Sequence, residues 1–379
     1  MSMNAPIPIR EVVIHRLTIP LRASFKHAQS QRECSEPIIV ELQLADGTVG
    51  FGETHPRDYV TGETLETVTR DIQDVFVPLL VDMRPDNFGQ AMEAADSLPC
   101  YDKKERVVTA ARAAVELALL DAYGKAFNRS LDSLAGYLGE TWMGTPGSAD
   151  SARYCGVISG DAAASIKRSL RKMRLFGLRH FKLKVGDEND GPRLAETERA
   201  MRRGLSRGTL TLRLDANMAW TFEQAAEKLT SWEALPIVCV EQPLAKGSID
   251  DCARLAQKTN LPLMADESLV TFADAQALIA CQAVSWFNIR ISKNGGLIPA
   301  MRLAILARQH GIDVILGCMV GETTILSAAA RRFLQLVPDI RFAEGSFGKF
   351  LLRDDVVRRS MRFSYGGKWR PIGGAGLSV

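Results

Sequence analysis

His180-Phe181-Lys182-Leu183-Lys184-Val185-Gly186 is a short run of strand-forming residues that carries two lysines two positions apart. Because successive side chains of a β-strand point to opposite faces, Lys182 and Lys184 share one face and the apolar residues share the other. An interior strand of a covered parallel sheet should have two apolar faces, and lysine is rarely buried without a partner. The stretch therefore predicts either an edge strand with one face in water or an interior strand whose ammonium groups meet acidic partners.

Composition indicates a globular protein with two domains. The chain has 379 residues, 46% of them hydrophobic and 24% charged, and a formal net charge of +3. This length exceeds what one hydrophobic core usually supports. No basic run is interleaved with aromatic residues and no apolar stretch reaches membrane-spanning length, so we expect neither nucleic-acid nor membrane partners. Residues 1–10 lack a secretory pattern, which predicts a cytoplasmic protein.

The seven cysteines are scattered without C-x-x-C spacing, which argues against a disulfide framework or a zinc cluster. Cys318 lies in a Gly-Cys-Met-Val-Gly-Glu turn. No histidine is near it in sequence, so we expect a thiol that lines a pocket rather than a nucleophile.

The N-terminal third has the pattern of an α+β domain. Three strands form an antiparallel meander whose second and third members are joined by an Asp-Gly turn. Two irregular loops hang from it, and a helical region follows. The predicted strands are 9–20, 37–44 and 49–53, the loops 20–34 and 53–63, and the helical region 64–136, clearest at 106–127.

After a Gly-, Ser- and Pro-bearing link at 144–150, eight candidate strands alternate with about seven helices, which is typical of a parallel barrel. A doubly wound open sheet is the rival. That fold usually has a glycine-rich phosphate turn after its first strand, and Ser159-Gly160-Asp161 does not match it. The predicted strands are 153–159, 181–185, 210–215, 237–241, 263–265, 285–289, 313–316 and 340–344.

A polar residue lies at or just after the end of each of several successive strands of this barrel. These polar residues lie 25 to 31 residues apart, close to one strand-plus-helix unit each. Because chemistry in parallel barrels takes place at the C-terminal ends of the strands, we expect these side chains to meet at one rim. They are Lys184, Asp215, Glu241, Asp266 and Lys293.

Three consecutive members of this series, Asp215, Glu241 and Asp266, are carboxylates. Like charges so close would repel unless a cation lies among them. Oxygen ligands suit Mg²⁺, with Mn²⁺ as a substitute, whereas zinc would call for histidine or cysteine. Each acid could instead cap the following helix. Glu241 is hard to explain in that way, since it precedes Gln-Pro.

The two remaining members, Lys184 and Lys293, follow the second and sixth strands, on opposite sides of the barrel. A lysine near Mg²⁺ and another ammonium has a lowered pKa and can act as a general base. A metal between two such bases predicts removal of the proton next to a carboxylate through an enediolate. The proton could leave one face of the carbon and return to the other.

As a set, these motifs resemble the enolase superfamily and specifically its muconate-lactonizing (muconate cycloisomerase) subgroup. The mandelate racemase subgroup fits less well, because Gly317-Cys318-Met319 stands where that subgroup has a seventh-strand histidine. The matching motifs are Lys182-x-Lys184, Asp215-x-Asn217, Glu241-Gln242-Pro243, Asp266-Glu267, Lys293-Asn294-Gly295-Gly296, and the capping-loop segments Gly50-Phe51-Gly52-Glu53 and Thr61-Gly62-Glu63-Thr64.

The resemblance implies an α/β fold, a modified TIM barrel of the (β/α)7β type with an α+β N-terminal capping domain. Residues 1–143 would form the capping domain with its substrate-specificity loops, 144–350 the catalytic barrel, and 351–379 a tail that returns to the capping domain. Proteins of this family commonly assemble as homo-oligomers, and we expect the same here.

The resemblance also implies roles for individual residues. Lys184 and Lys293 would be the acid/base pair, and Lys182, one layer deeper, would neutralise the substrate carboxylate or lower the pKa of its neighbour. Asn217 and Glu267 would orient the metal ligands or Lys293. The metal ligands would be Asp215, Glu241 and Asp266, and the substrate contacts Phe25, Lys26, His27, Arg57, Tyr59, Cys318 and Glu322.

The leading function is therefore a Mg²⁺-dependent racemase or epimerase of an N-acyl amino acid or a dipeptide-like substrate. The alternatives within the subgroup are a muconate-type cycloisomerase and an o-succinylbenzoate-synthase-like dehydratase. Glu344-Gly345-Ser346 replaces the Asp-x-Asp that dipeptide epimerases of this subgroup show, which counts against a dipeptide. More remote are a Schiff-base aldolase using Lys184 or Lys293, and a non-catalytic barrel, for which broken ligand motifs are expected.

Overall fold

The computed structural model describes residues 5–27, 30–139, 152–159, 163–358 and 360–379. Its N-terminal part contains one three-stranded antiparallel sheet in the order β1-β4-β5 and a separate two-stranded ribbon of β2 and β3. The predicted meander corresponds to the three-stranded sheet. The strands are β1 (Ile9–Arg16), β2 (Ile19–His27), β3 (Ser30–Ser35), β4 (Ile38–Leu44) and β5 (Val49–Thr54).

The prediction of an irregular loop over 20–34 is wrong, because this segment forms the β2–β3 ribbon, with Ile19 paired to Ser35 and Pro20 to Cys34. The segment was not predicted to form strands because its composition is polar. A two-stranded ribbon needs no continuous apolar face, since the two backbones satisfy each other's hydrogen bonds. The ribbon is anchored at one end, where Ile19 and Leu21 are buried against Leu352 of the C-terminal tail.

Helix α5 is the centre of the N-terminal part and is buried along nearly its whole length. It lies directly on β5, where the glycines of the Gly50-Phe51-Gly52 motif permit the close approach. A Cβ at Gly52 would collide with the backbone of Ala114, and one at Gly50 with that of Ala122. The helices are α1 (Asp58–Thr61), α2 (Leu65–Asp71), α3 (Val77–Leu80), α4 (Phe88–Asp96), α5 (Thr109–Ala126) and α6 (Ser133–Tyr137), with a π-helical turn at Ile72–Phe76 between α2 and α3.

The second part is a closed parallel barrel. Its first strand is interrupted only at Cys155, and its two halves, β6 and β7, pair with the last strand and with the next strand respectively. The strands are β6 (Arg153–Tyr154), β7 (Gly156–Ile158), β8 (His180–Lys184), β9 (Thr211–Asp215), β10 (Ile237–Glu241), β11 (Leu263–Ala265), β12 (Trp286–Ile289), β13 (Asp313–Leu316) and β14 (Phe342–Ala343).

In the described residues seven helices connect these strands, so the predicted (β/α)7β barrel is confirmed, and each predicted strand agrees with the structure to within two residues. Across the described ranges, no helix combines the length and the apolar character needed to cross a bilayer. The helices are α7 (Ala163–Leu175), α8 (Asp190–Ser206), α9 (Phe222–Trp232), α10 (Ile249–Ala256), α11 (Phe272–Ala280), α12 (Leu297–Gln309) and α13 (Thr324–Leu336), followed by a short α14 (Gly348–Leu351).

The C-terminal tail lies against both parts of the molecule. Leu377 N donates to Asp121 Oδ1 of α5 at 2.8 Å, and the Arg332 guanidinium of α13 donates to the carbonyl oxygens of Ile372, Gly374 and Gly376. The division into 1–143, 144–350 and 351–379 stays a prediction, and the first of these boundaries falls in 140–151, outside the described residues.

Buried carboxylates of the N-terminal part cap helices of the barrel. Glu53, in β5, accepts hydrogen bonds from the Thr323 and Leu326 N–H groups at the start of α13 (2.7 and 2.9 Å). Glu116, in α5, accepts from Leu297 N (3.0 Å) and Ile298 N (2.7 Å) at the start of α12. Because the first N–H groups of a helix lack partners within it, each carboxylate fastens the N-terminal part to the barrel.

We expect Glu116→Gln to lower the free energy of unfolding by about 1–3 kcal/mol, because a Gln amide nitrogen would face a buried backbone N–H. Burial raises the pKa of Glu116 to about 7, against the opposing effect of Arg112 and the two N–H donors. Folded Glu116 therefore holds a proton that the unfolded chain loses near the ordinary glutamate pKa of 4.5. This group's contribution to stability falls as the pH rises from that value to about 7.

The midpoints of urea-induced unfolding of the parent protein and of Glu116→Gln, at pH values near 5 and 8, measure this effect. Glu198→Gln is the matched control, because Glu198 pairs with Arg202 on the surface of α8. If Glu116→Gln lowers the free energy of unfolding no more than Glu198→Gln does, the capping role is contradicted.

Candidate active site

The strand register brings the predicted rim residues to one level. Lys184 on β8 is paired with Asp215 on β9, and Asp215 is paired with Glu241 on β10. Asp266 directly follows β11, and Lys293 lies four residues after the end of β12. The barrel therefore gathers all five at its C-terminal mouth, as the regular spacing predicts.

Asp215 lies between the two lysines of β8. Its Oδ2 accepts from Lys184 Nζ at 2.6 Å and lies 3.0 Å from Lys182 Nζ. Burial alone would raise the pKa of Asp215, but the two ammonium groups hold it well below its usual range. Lys184 Nζ also donates to Asn217 Oδ1 (2.7 Å), whose amide donates to Glu267 Oε1 (3.1 Å). Asn217 thus contacts Lys184 rather than Lys293, and Glu267 is linked to Lys184 through Asn217.

A second layer of charges lies one step deeper in the barrel. Lys182 Nζ donates to Glu344 Oε2 at 2.7 Å, and Arg213 Nη2 donates to Glu344 Oε1 at 2.8 Å. Burial would lower the pKa of Lys182, but Glu241, Glu344 and Asp215 outweigh it and raise that pKa. Burial would raise the pKa of Glu344, but Lys182 and Arg213 hold it at about 2. Both groups are therefore ionised and paired.

Lys293 is fully buried on the opposite side of the mouth. Its Nζ donates to Asp266 Oδ1 (2.9 Å), to the Asp266 carbonyl (2.7 Å) and to the Asn288 carbonyl (2.8 Å). Burial and the neighbouring Arg290 guanidinium lower the pKa of Lys293 well below its usual value. Arg290 contacts Asp266 Oδ2 directly. Lys293 and Lys184 thus lie across the carboxylates from each other, but Lys293 is turned towards its own strand end.

Glu241 lies between these two sides. Its Oε1 accepts from Asn288 Nδ2 at 2.8 Å, and both of its oxygens lie 3.4 Å from Lys182 Nζ. Burial and the nearby Asp215 raise the pKa of Glu241, against the effect of Lys182. A positive charge added beside Glu241 and Asp215 would relieve their mutual repulsion.

The donor set has the chemistry of a Mg²⁺ site, because it consists of buried carboxylates without histidine or cysteine. Glu267 Oε2 is buried and accepts no hydrogen bond from any described residue, whereas Asp266 Oδ2 is in contact with Arg290. In the described part of the chain, however, no three acidic, histidine or cysteine side chains are gathered closely enough to hold an ion together as they stand. Lys184 and Arg290 pair instead with Asp215 and Asp266, so these cations and a metal ion compete for the same oxygens.

A cavity of about 250 Å³ opens above Lys182 and Lys184. Its wall includes the predicted substrate contacts Arg57, Tyr59, Cys318 and Glu322. The side chains of Phe25, Lys26 and His27 lie outside the described part of the structure. Much of the remaining wall is apolar, provided by Val157, Met173, Met319, Phe347, Phe350 and Leu351.

The wall of the cavity carries a buried positive charge at Arg57. Arg57 is 4% exposed and donates to the carbonyl oxygens of Pro56 (2.7 Å) and Val320 (3.1 Å). Burial and the nearby Arg32 lower the pKa of Arg57 to about 10, so it stays charged at neutral pH. Burial raises the pKa of Glu322 to about 8 and that of Cys318 well above its usual value. Neither Glu322 nor Cys318 therefore neutralises the positive charge of Arg57.

Four residues of the site were not predicted: Arg213, Arg290, Glu344 and Asn288. Arg213 had a usable signal, because it precedes Asp215 by two positions on one strand, as Lys182 precedes Lys184. Arg290 directly follows β12, at the rim position of that strand. Glu344 was considered only as a departure from a family motif. The buried Asn288 has no sequence signal that separates it from an ordinary strand residue.

Comparison with known proteins identifies the family. Residues 9–136 match the sequence model of the mandelate racemase / muconate lactonizing enzyme N-terminal domain, and residues 165–379 match that of the enolase C-terminal domain-like family. The L-Ala-D/L-Glu epimerase of Clostridium acetobutylicum is 28% identical over 93% of this chain and 94% of its own length. The N-succinyl-L-Arg/Lys racemase of Bacillus cereus is 29% identical over 85% and 82% respectively.

Among solved structures, a dipeptide epimerase from Enterococcus faecalis complexed with Mg and L-Leu-L-Tyr has a TM-score of 0.81 and 25% identity, covering 98% of this chain and 99% of its own. These relatives are isomerases, which confirms the predicted enzyme class, and the predicted resemblance to the muconate-lactonizing subgroup is confirmed as well. Because the two sequence models together span most of its length, the chain belongs to the mandelate racemase / muconate lactonizing enzyme family of the enolase superfamily.

Proposed function

We propose that this protein racemises or epimerises an N-acyl amino acid or dipeptide-like substrate by removing the proton next to a carboxylate, and that the far end of that substrate carries a second anionic group. One observation carries the proton-transfer step. Lys184 Nζ lines the cavity, held by Asp215 and Asn217, while Lys293 occupies the other side of the same carboxylates. The reactions of the relatives support the same class of chemistry.

In this proposal Lys184 removes or returns the proton on one face of the reacting carbon, and Lys293 acts on the other face. For that role Lys293 Nζ exchanges its contacts with Asp266 and the Asn288 carbonyl for the substrate. Asn217 and Asp215 hold Lys184 in position. Lys182 adds positive charge one layer below, where its pairing with Glu344, which also accepts from Arg213, keeps it in place.

We propose Asp215, Glu241 and Asp266 as the residues that hold Mg²⁺, with Mn²⁺ as a substitute. The ion would supply positive charge that stabilises the substrate carboxylate as negative charge develops on it. The Mg-containing dipeptide epimerase structure supports this assignment. The cytoplasmic location and the homo-oligomeric assembly stay predictions.

The second anionic group follows from the charge of Arg57 in the wall of the cavity. Arg57 is buried there without a carboxylate partner among the described residues, and Glu322 is largely neutral at pH 7. Glu344 is the acid that follows the last strand, but Lys182 and Arg213 already occupy both of its oxygens, so it does not suit a substrate ammonium. The same guanidinium would suit a diacid, which makes a muconate-type cycloisomerase the second candidate.

We expect the protein with Mg²⁺ to exchange the α-proton of a carboxylate substrate for deuterium in D₂O, measured by mass over pooled N-acyl amino acids, dipeptides and muconates. Lys184→Met should slow exchange from one enantiomer by about 10²–10⁴-fold and affect the other less, and Lys293→Met should show the opposite preference. Lys172→Met on exposed α7 is the control. Equal, mild effects of both variants on both enantiomers would contradict the two-base arrangement.

Arg57→Met should affect two substrates differently when they differ in charge at the end away from the reacting carbon. Loss of a buried charged hydrogen bond costs about 1.5–3 kcal/mol, so kcat/KM for a substrate with a distal carboxylate should fall by roughly 10- to 150-fold. The matched substrate with a neutral amide at that end should react nearly unchanged. Because both substrates are compared on one variant, partial misfolding cannot imitate the result. Equal losses for the two would refute the proposed role of Arg57.

Mg²⁺ should also stabilise the folded protein against heat. An ion at a hundredfold excess over its dissociation constant adds about 2.7 kcal/mol to the free energy of unfolding, so the melting temperature should rise with Mg²⁺ concentration. Glu241→Gln should remove this rise, and Glu223→Gln, on the exposed face of α9, should retain it. A rise that survives in Glu241→Gln would place the ion elsewhere.

A further inference from the structure

A groove of about 420 Å³ lies outside the barrel mouth, between the end of α7 and the C-terminal tail. We call it the tail groove and define it by Phe176, Arg331, Phe350 and residues 362–365 and 368–370. It shares only Phe350 with the active-site cavity, and it contains none of the residues assigned to catalysis or metal binding.

The tail groove carries uncompensated positive charge. Arg331, Arg362, Lys368 and Arg370 line it, and no aspartate or glutamate does. Arg331 Nη2 donates to the Arg362 carbonyl at 2.8 Å, a neutral acceptor. Within the described part of the chain, none of these four cations forms an ion pair with a carboxylate, in contrast to the balanced charges of the barrel mouth. Such a surface attracts anions.

Aromatic rings form the rest of its lining. Phe363 is the buried centre, with ring centroids 5.9 Å from Phe176 and 5.7 Å from Phe350. Phe350 and Tyr365 remain 46% and 66% exposed, so their faces are open to a further ring. Aromatic pairs attract each other beyond the effect of the area they bury, which favours a planar aromatic ligand over an aliphatic one.

Two buried donors in the tail groove lack acceptors. Trp369 and Arg331 are each 8% exposed, yet Trp369 Nε1 and Arg331 Nε make no hydrogen bond with any described residue. Leaving such a buried donor unpaired destabilises the folded protein. An acceptor oxygen supplied by a ligand would remove that cost.

We propose that the tail groove is a second binding site, and that it takes a small anion in which an aromatic ring carries a carboxylate or phosphate group. The anionic oxygens accept hydrogen bonds from the indole and guanidinium donors and neutralise the exposed cations. The ring packs against the open faces of Phe350 and Tyr365. The site does not depend on the proposed function, because its residues take no part in proton transfer.

Isothermal titration calorimetry of the full-length protein tests the site with phenyl phosphate and benzoate as probes. Inorganic phosphate and cyclohexanecarboxylate are the matched anions without an aromatic ring. We expect at least one aromatic anion to bind at least tenfold more tightly than its matched anion. A preference for phenyl phosphate or for benzoate identifies the anionic group, and either result supports the proposal. Equal affinities of each probe and its matched anion would overturn it.

Variants separate the tail groove from the active site, which also attracts carboxylates. The double variant Arg362→Gln/Lys368→Gln changes only exposed side chains and should weaken the aromatic anion at least tenfold, as Trp369→Phe should weaken it by removing the indole N–H. Lys103→Gln/Lys104→Gln, on a distant exposed loop, and Lys184→Met, in the active site, should leave this binding unchanged. Weakening only in Lys184→Met would assign the ligand to the active site and overturn the proposal.

Another copy of this chain could cover the exposed aromatic rings instead. Analytical ultracentrifugation of the parent protein and the Arg362→Gln/Lys368→Gln variant, with and without phenyl phosphate, tests this. A change of oligomeric state in the variant without any measurable ligand binding to the parent would show an interface and overturn the small-molecule site. An unchanged mass with ligand bound supports it.

Discussion

Charge neutralisation in a nearly dry barrel mouth is the constraint on which the active site depends. Asp215, Glu241 and Asp266 are fully buried, and a buried carboxylate is tolerated only when it is paired and hydrogen-bonded. Lysine and arginine side chains on neighbouring strands provide that pairing: Lys182 and Lys184 from β8, and Arg290 after β12. Two lysines on one strand are therefore stable inside the barrel, because their partners arrive from the strands beside them.

The same constraint explains why the site is suited to chemistry. The described carboxylates and cations are distributed in two layers, with Glu344 paired to Lys182 and Arg213 below and the rim residues above. The lower layer is a fixed support, whereas at the rim Lys184 and Arg290 are the partners of Asp215 and Asp266 that the proposed metal ion would replace. Capping carboxylates such as Glu53 and Glu116 hold the N-terminal part over this mouth and so define where the cavity ends.

Much of this arrangement could be predicted because barrel strands repeat with a regular spacing. Lys184, Asp215 and Glu241 keep the same phase, and the structure pairs them at one level. The prediction failed where the polarity of a residue or segment does not indicate its structural environment. The polar β2–β3 ribbon was expected to be a loop, since sequence periodicity detects an apolar face and this ribbon does not need one. Arg290 was missed because a single arginine after a strand is usually solvated, and only the closed barrel turns it towards Asp266.

By itself, the sequence determined the barrel, its seven helices and the rim positions of the acids and lysines, because hydrophobic periodicity and strand spacing are local properties. Which partner each charge takes was decided only by the tertiary structure. Lys182 meets Glu344, Lys293 pairs with Asp266, and Arg57 remains buried without a carboxylate partner among the described residues. Such pairings join residues far apart in sequence, up to 162 positions for Lys182 and Glu344, so no local pattern encodes them. The strand with two lysines could be identified in the sequence. Its role could be assigned only from the structure, which shows the acidic partners of both lysines.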